Sequence, residues 1–269
     1  MTRIFTGRVF LVGAGPGDPE LLTVKAHNLL RRSDVILHDD LVPRAILALA
    51  GPHAEIVNVG KRCGAKHITQ DEINSRMIAA TRRGLEVVRL KNGDPAIFGR
   101  LAEELDALEA AGVPFEIVPG VTAGTAAAAS LGVSLTDRRA SSRIVIVTGH
   151  HAHDTHSRKQ IDWSTLARED ATLVVYMPGH EFADLRDELL AAELPSDIPA
   201  VIVSRASTPD QRAWFSTIAQ LDVAPRLNSP SILLVGRSLS RAGLEKSAAG
   251  DSALESAIAF AAAELPLGG

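Results

Sequence analysis

Three observations predict a fold of two α/β domains for this chain of 269 residues. Short apolar runs alternate with amphipathic stretches, the pattern of α/β domains built on largely parallel sheets. Three loops of small residues follow directly on apolar runs, and open α/β sheets bind ligands at the carboxyl ends of their strands. Pro119 and Gly120 then break the chain before apolar runs resume. The expected division is 1–120, 121–245, and an Ala-rich tail over 246–269 that is helical or disordered and lies outside the core.

The elements follow in order. RVFLVGAG reads as a first strand. Thr23 to Ser33 reads as a helix capped by Thr23, with Val24, Leu29 and Leu30 on its apolar face. SDVILHD and HAEIVNVG are strands. QDEINSRMIAATRRG is a helix closed at Gly84, where glycine relieves the left-handed last turn. LEVVRLK is a strand and RLAEELDALEAAG a helix closed at Gly112, before the strand FEIVPG. TAGTAAAASLG begins a small-residue helix. SRIVIVTGH, TLVVYM, PAVIVSRAS and SILLVG are further strands, with FADLRDELLAAEL a helix between the second and third. QRAWFSTIAQL fits either a strand or a strand turning into a helix. No repeat of solenoid period is present.

Composition narrows the function. A 46% hydrophobic and 22% charged chain is of ordinary globular make-up, which excludes a disordered one. With a net charge of -4, no global field draws it to nucleic acid or an anionic membrane. An anionic substrate must therefore meet a local basic pocket. Cys63 is the single cysteine, so neither an intrachain disulfide nor a Cys-rich zinc site is expected. The N-terminal residues lack the features of a signal peptide, and no run approaches the roughly 20 apolar residues of a membrane span. The expected location is a reducing cytoplasm, with no membrane and no nucleic-acid partner.

The first loop is Gly13-Ala14-Gly15-Pro16-Gly17-Asp18. Its glycines let backbone N–H groups approach a ligand. Asp39, ending the second strand about twenty residues on, suggests a dinucleotide site. The details oppose it: the third glycine comes one residue early, Asp18 stands where Gly or Ala is needed, and Pro16 removes a donor. A bare tight turn and a different cofactor remain open. The second loop, Asn92-Gly93-Asp94-Pro95, lies between a strand and a helix, and alone is a common turn. The third, Pro119-Gly120-Val121-Thr122-Ala123-Gly124, is another strand-to-helix junction of small residues.

Taken together, the wording resembles one family. GAGPGDPELLTVKA, HDDLV, VGKR, QxEIN, VVRLKNGDPAIFGR, VPGVTA, a modified LTDR, TGH, VVYM and SPSILLVG resemble the tetrapyrrole methylases from residue 8 to about 238. Within that family they are most similar to the members that methylate uroporphyrinogen III. The resemblance implies two α/β domains with S-adenosylmethionine in the cleft between them, and a homodimer. It implies two successive methyl transfers to carbons of uroporphyrinogen III, giving precorrin-2 via precorrin-1, with S-adenosylhomocysteine as the other product.

By the same resemblance, the cofactor contacts are Pro16, Asn92, Gly93, Asp94, Ile97, Thr122, Ala123, Met177, Ala206 and Leu234, with no metal. Asp39 matches the position of the general base and Lys61 that of the general acid. Arg100, Glu103 and Arg138 match positions that touch substrate, and guanidinium forks suit a substrate with many carboxylates. Each has a plainer role beside it: a strand-end cap for Asp39, a solvated lysine for Lys61, core filling for Met177. The arginines have local partners in Glu103 and Asp137. The chain departs from the family at Asn92, where Gly is usual, at Leu101 and Ala102, usually two Gly, at Asp137, usually His, and at Asp40, commonly Arg. Asn92 tolerates positive φ, so the turn is expected to survive. Substrate choice is less closely specified, and a later precorrin is the alternative.

His150, His151, His153, Asp154 and His156 cluster like a metal loop, though no supporting ligand pattern accompanies them, and a solvated loop is the expectation. Cys63 has no paired base and reads as a plain thiol. Two rival functions stand beside the methyltransferase: a ligand-binding protein that lost turnover, and a nicotinamide-dependent oxidoreductase.

Overall fold

The computed structural model describes residues 7–60, 68–149 and 161–241. The chain divides into two compact units, one of residues 1–127 with 205–211, the other of 128–204 with 212–269. Lys61, Cys63, the His150–His156 loop and the Ala-rich tail lie outside the described residues.

The first unit runs β1 (Arg8–Gly13), α1 (Val24–Arg32), β2 (Val35–His38), α2 (Arg44–Leu47), β3 (Glu55–Asn58), α3 (Gln70–Arg82), β4 (Glu86–Lys91), α4 (Leu101–Ala111) and β5 (Phe115–Val118). The helix α5 (Ala123–Leu131) follows, and the division between the units falls within it. The sheet order is β3-β2-β4-β1-β5 with every pair parallel, as the βα alternation predicts. The inner strands β1, β2 and β4 are buried on both faces, which explains their long apolar runs, whereas β3 and β5 at the edges are more exposed. On one face Phe10, Val12, Ile36, Val88 and Leu90 pack with Ala26, Leu29 and Leu30 of α1 and Ile46 of α2. On the other, Val9, Leu11, Leu37 and Val87 pack with Ile73 and Met77 of α3 and Leu108 of α4.

The helix ends follow from local chemistry. Thr23 Oγ1 accepts from Ala26 N at 3.1 Å, satisfying one orphan donor of α1. Thr69 and Glu72 form a reciprocal capping box at the start of α3. Gly84 and Gly112 take the left-handed turns after α3 and α4, at φ 84° and 67°.

The second unit holds β6 (Arg143–Thr148), α6 (Trp163–Leu166), β7 (Ala171–Tyr176), α7 (Ala183–Ala191), β8 (Pro199–Ser204), β9 (Arg212–Thr217) and β10 (Ser231–Val235). Their order is β6-β7-β10-β8-β9. Only β6 and β7 pair in parallel, so the expectation of a largely parallel sheet fails here. For β8 and β9 the cause is loop length. Residues 205–211 join β8 to β9, and a parallel crossover needs a dozen or more. The crossover through α7 keeps β7 and β8 in one direction, and β10 inserts between them antiparallel to both. QRAWFSTIAQL resolves as β9 followed by a short 3-10 helix, Ile218–Val223. Trp163, Phe182, Leu189, Ile202, Leu221 and Leu233 are among the residues of this unit's core. Among the described residues, no helix is long and apolar enough to cross a membrane.

Candidate active site

The sheet order explains why the three small-residue loops meet. β4, β1 and β5 are adjacent parallel strands, so Asn92, Ala14 and Pro119 leave the same carboxyl edge side by side. Gly15 and Gly93 exchange backbone hydrogen bonds at 3.1 and 2.8 Å, and Ala14 N donates to Lys91 O at 2.8 Å. Asp94 joins the second loop to the third: its Oδ2 accepts from Gly120 N at 2.9 Å while Oδ1 accepts from Ala96 N at 2.8 Å. A Cβ on Gly120 would lie 2.3 Å from Gly93 O and 2.8 Å from Gly13 Cα. Both obstacles are backbone, so neither can turn aside. Gly120→Ala is therefore expected to cost about 1–3 kcal/mol by overpacking. Thermal unfolding checks this, and an unchanged melting temperature would show that the three backbones are not so closely locked.

A fourth segment, 205–211, belongs to the same unit and carries Ala206, which is buried. A Cβ on Gly17 would lie 2.6 Å from the Thr208 methyl, so this segment borders the first loop. Non-glycine residues with left-handed φ gather in these loops: Phe98 at 51°, Arg100 at 54°, Arg205 at 49° and Ser207 at 59°. Such conformations cost energy and concentrate at functional sites. Asn92 is not among them. The left-handed residue of its turn is Gly93, at φ 67°, which corrects the expectation that Asn92 needs tolerance of positive φ. Asn92 Oδ1 is instead buried without a hydrogen-bond partner among the described residues. A buried acceptor left unmet is costly, so it marks a place where a donor is wanted.

Asp39 sits at the same edge, one strand further along, because β2 flanks β4. Its backbone N donates to Leu90 O at 3.1 Å, and its side chain is 31% exposed. The carboxylate accepts at 2.5 Å from the Arg89 guanidinium. Arg89 Nε donates to Glu104 Oε1 at 2.8 Å, and Lys91 Nζ donates to Glu104 Oε2 at 2.7 Å. Arg89, Lys91 and Glu104 are all buried. Burial opposes the charge on Arg89, but Asp39 and Glu104 outweigh it and hold its pKa above the ordinary value. Burial, then the neighbouring Arg89, lower that of Lys91 against the pull of Glu104. Sequence reasoning missed this cluster. Its signal was two cations at alternate positions of an otherwise apolar strand, VVRLK.

The proposed substrate arginines differ from one another. Arg100 immediately precedes α4 and is paired through both Nε (2.7 Å) and NH2 (2.5 Å) with Glu103. In the second unit Asp137 pairs with Arg139 rather than Arg138. Arg138 is exposed and has no ion pair among the described residues. Pro16, Asn92, Gly93, Asp94, Ile97, Thr122, Ala123 and Ala206 share the first unit with Asp39, Arg100 and Glu103. Met177 and Leu234 belong to the second. Met177 follows β7 directly, at φ 49° with 46% exposure, whereas Leu234 is fully buried in β10, between β7 and β8. No group of three or more His, Cys, Asp or Glu is placed to hold a metal among the described residues.

The model of the family Tetrapyrrole (Corrin/Porphyrin) Methylases matches residues 8–222. The chain belongs to the tetrapyrrole methylases. It is 43% identical over 234 residues to a siroheme synthase of Gluconacetobacter diazotrophicus, covering 86% of this chain and 49% of that protein. It thus spans about half the length of that relative. It is 41% identical to the uroporphyrinogen-III C-methyltransferase of Paracoccus denitrificans, over 86% of this chain and 80% of that one. Among solved structures it is similar to the uroporphyrin-III C-methyltransferase of Thermus thermophilus in complex with S-adenosyl homocysteine, at TM-score 0.75 and 38% identity, covering 87% of this chain and 99% of that one. A cobalt precorrin-4 methyltransferase superposes equally well, at TM-score 0.76 and 31% identity, over 87% and 96% of the two chains. Overall backbone likeness therefore does not distinguish between the two substrates that these structures' names carry.

Proposed function

We propose that this chain transfers methyl groups from S-adenosylmethionine to two carbons of uroporphyrinogen III, giving precorrin-2 via precorrin-1. The observation that carries the proposal is the locked junction of three small-residue loops, in a chain 41% identical to a uroporphyrinogen-III C-methyltransferase along 80% of its length. The donor set suits the cofactor. Backbone groups of Gly93, Thr122 and Ala123 suit its polar ends, and the unmet Asn92 Oδ1 suits an ammonium or hydroxyl donor. Pro16, Asp94, Ile97 and Ala206 complete the set in the first unit; Met177 and Leu234, in the second, are assigned by the resemblance alone. The bound cofactor supplies a methyl already activated by its sulfonium.

The protein's own part is alignment, exclusion of water and removal of a proton. Asp39 takes the proton lost from the methylated ring, and Lys61 acts as general acid. Arg100 and Arg138 hold substrate carboxylates, and Glu103 orients Arg100 through its two hydrogen bonds. The working form is a homodimer in the cytoplasm.

A second reading, methylation of a later precorrin, is favoured by one observation. Asp137, which stands where the family usually has His, is occupied with Arg139 instead of facing outward alone. Anaerobic incubation with S-adenosylmethionine and uroporphyrinogen III, followed by mass and absorbance analysis, tests both. The expected product carries two added methyl groups. Cofactor binding without product, and turnover only with a later precorrin, would favour the second reading.

A further inference from the structure

We propose that Arg89 is a positioning residue, a two-ended clamp that fixes the Asp39 carboxylate and is itself anchored by Glu104. This rests on the assignment of Asp39 as general base. A single side chain spans the two acids, with Nε on Glu104 at 2.8 Å and NH2 on Asp39 at 2.5 Å. The remaining nitrogen, NH1, lies 3.4 Å from Leu37 O and 3.3 Å from Leu90 O, the last residues but one of β2 and β4. The guanidinium is thereby held from four sides. Its plane is rigid, so fixing one end fixes the other.

The anchor is equally constrained. Glu104 is 0% exposed, gives Oε2 to Lys91 and Oε1 to Arg89, and has Gln70 Nε2 of α3 at 3.4 Å. Asn74 of α3 packs beside it, donating to Glu103 O. Around Asp39, the His38 ring nitrogen Nδ1 contacts the Asp39 carbonyl at 2.9 Å, and Asp40 accepts from Asn58. Two cations and two carboxylates thus balance in charge, three of the four groups being buried.

Stability does not explain such a cluster, because well-packed apolar residues usually do as well or better. What it supplies is geometry. Its only solvent-facing member is Asp39, and every hydrogen bond in it limits where that carboxylate can point. Small displacements of a reacting group are expensive: about 1 Å costs up to a hundredfold in rate.

Arg89→Lys tests the idea, since lysine keeps the charge beside Glu104 but cannot reach both acids at once. The expected result is a fall in kcat of about ten- to a hundredfold. The uroporphyrinogen III KM, the S-adenosylhomocysteine affinity and the melting temperature should stay nearly unchanged. In the Asp39→Asn background the same substitution should cost nothing further, because its effect runs through Asp39. If Arg89→Lys does not fold, Arg89→Gln, which leaves the Lys91–Glu104 pair intact, is read the same way. Additive losses in the double variant overturn the proposal, as does a loss confined to KM or cofactor affinity. An Asp39→Asn enzyme with full kcat removes the base assignment itself. One that loses turnover while Arg89→Lys does not removes the clamp alone.

Discussion

Replacing Glu104 by Ala is expected to destabilise the chain by about 3–5 kcal/mol, because it strands buried charge rather than merely deleting contacts. Arg89 and Lys91 would face each other, with Arg89 keeping Asp39 as its carboxylate partner and Lys91 losing its one bonded carboxylate. For a protein of this size each kcal/mol moves the melting temperature by roughly 2–4 °C, so the loss is readily measured. The sign of its pH dependence follows from Lys91. In the folded chain burial and Arg89 already lower its pKa below 10.5, so the unfolded chain binds more protons as that range is approached. Without Glu104 the lowering grows. The deficit of the variant should therefore shrink as pH rises toward the ordinary lysine value, where the unfolded chain also gives up its proton. A converse variant sharpens the test. Arg89→Met, Lys91→Met and Glu104→Leu together should recover much of the lost stability, as apolar replacement of buried ion clusters often does, while turnover stays low. A Glu104→Ala chain with an unchanged melting temperature would show that the two cations find other partners.

How much of this was legible in the sequence depends on how local each signal is. Thr23, Gly84 and Gly112 act within one turn of their own helices, and the helix ends stand where those residues predict. The parallel sheet of the first unit follows from βα alternation, since each crossover is long enough. The second sheet was misread because its pairing depends on β10, late in the chain, inserting between β7 and β8. No local pattern announces that. The three loops were visible because glycine has few other uses at a strand end, yet the turn was misassigned by one residue: Gly93 carries the left-handed φ that Asn92 was expected to need. The acid that completes the charge cluster was illegible for a different reason. Glu104 lies on a helix among exposed acids such as Glu103, and nothing in its neighbours distinguishes the one that is buried. Only the fold brings Asp39, Arg89 and Glu104 together across 65 positions of chain, from 39 to 104.

The two proposed substrate arginines should respond differently to removal. Arg138 has no ion pair among the described residues, so a substrate carboxylate meets it without displacing anything. A charge-assisted hydrogen bond contributes about 1.5–3 kcal/mol, and 1.4 kcal/mol is tenfold. Arg138→Ala is thus expected to lower kcat/KM by roughly ten- to several hundredfold, with stability unchanged within about 0.5 kcal/mol. Arg100 must first give up part of its double bond with Glu103, both side chains being 47% exposed. An exposed pair of this kind is worth about 1 kcal/mol or less, so the net loss on removing Arg100 should be smaller than for Arg138 by up to about fivefold. Its backbone offers a clean control. Arg100 sits at φ 54°, a conformation that glycine adopts without strain, so Arg100→Gly should hold or raise the melting temperature while kcat/KM falls. The double variant, Arg100→Gly with Arg138→Ala, should lose about twenty- to ten-thousandfold if each guanidinium holds its own carboxylate, since independent contacts add in free energy. S-adenosylhomocysteine affinity, measured by calorimetry, should barely move in any of them, and lysine at either position should restore activity only in part because it lacks the fork. A large fall in melting temperature with full turnover in the folded fraction would mean that these arginines support packing and not substrate.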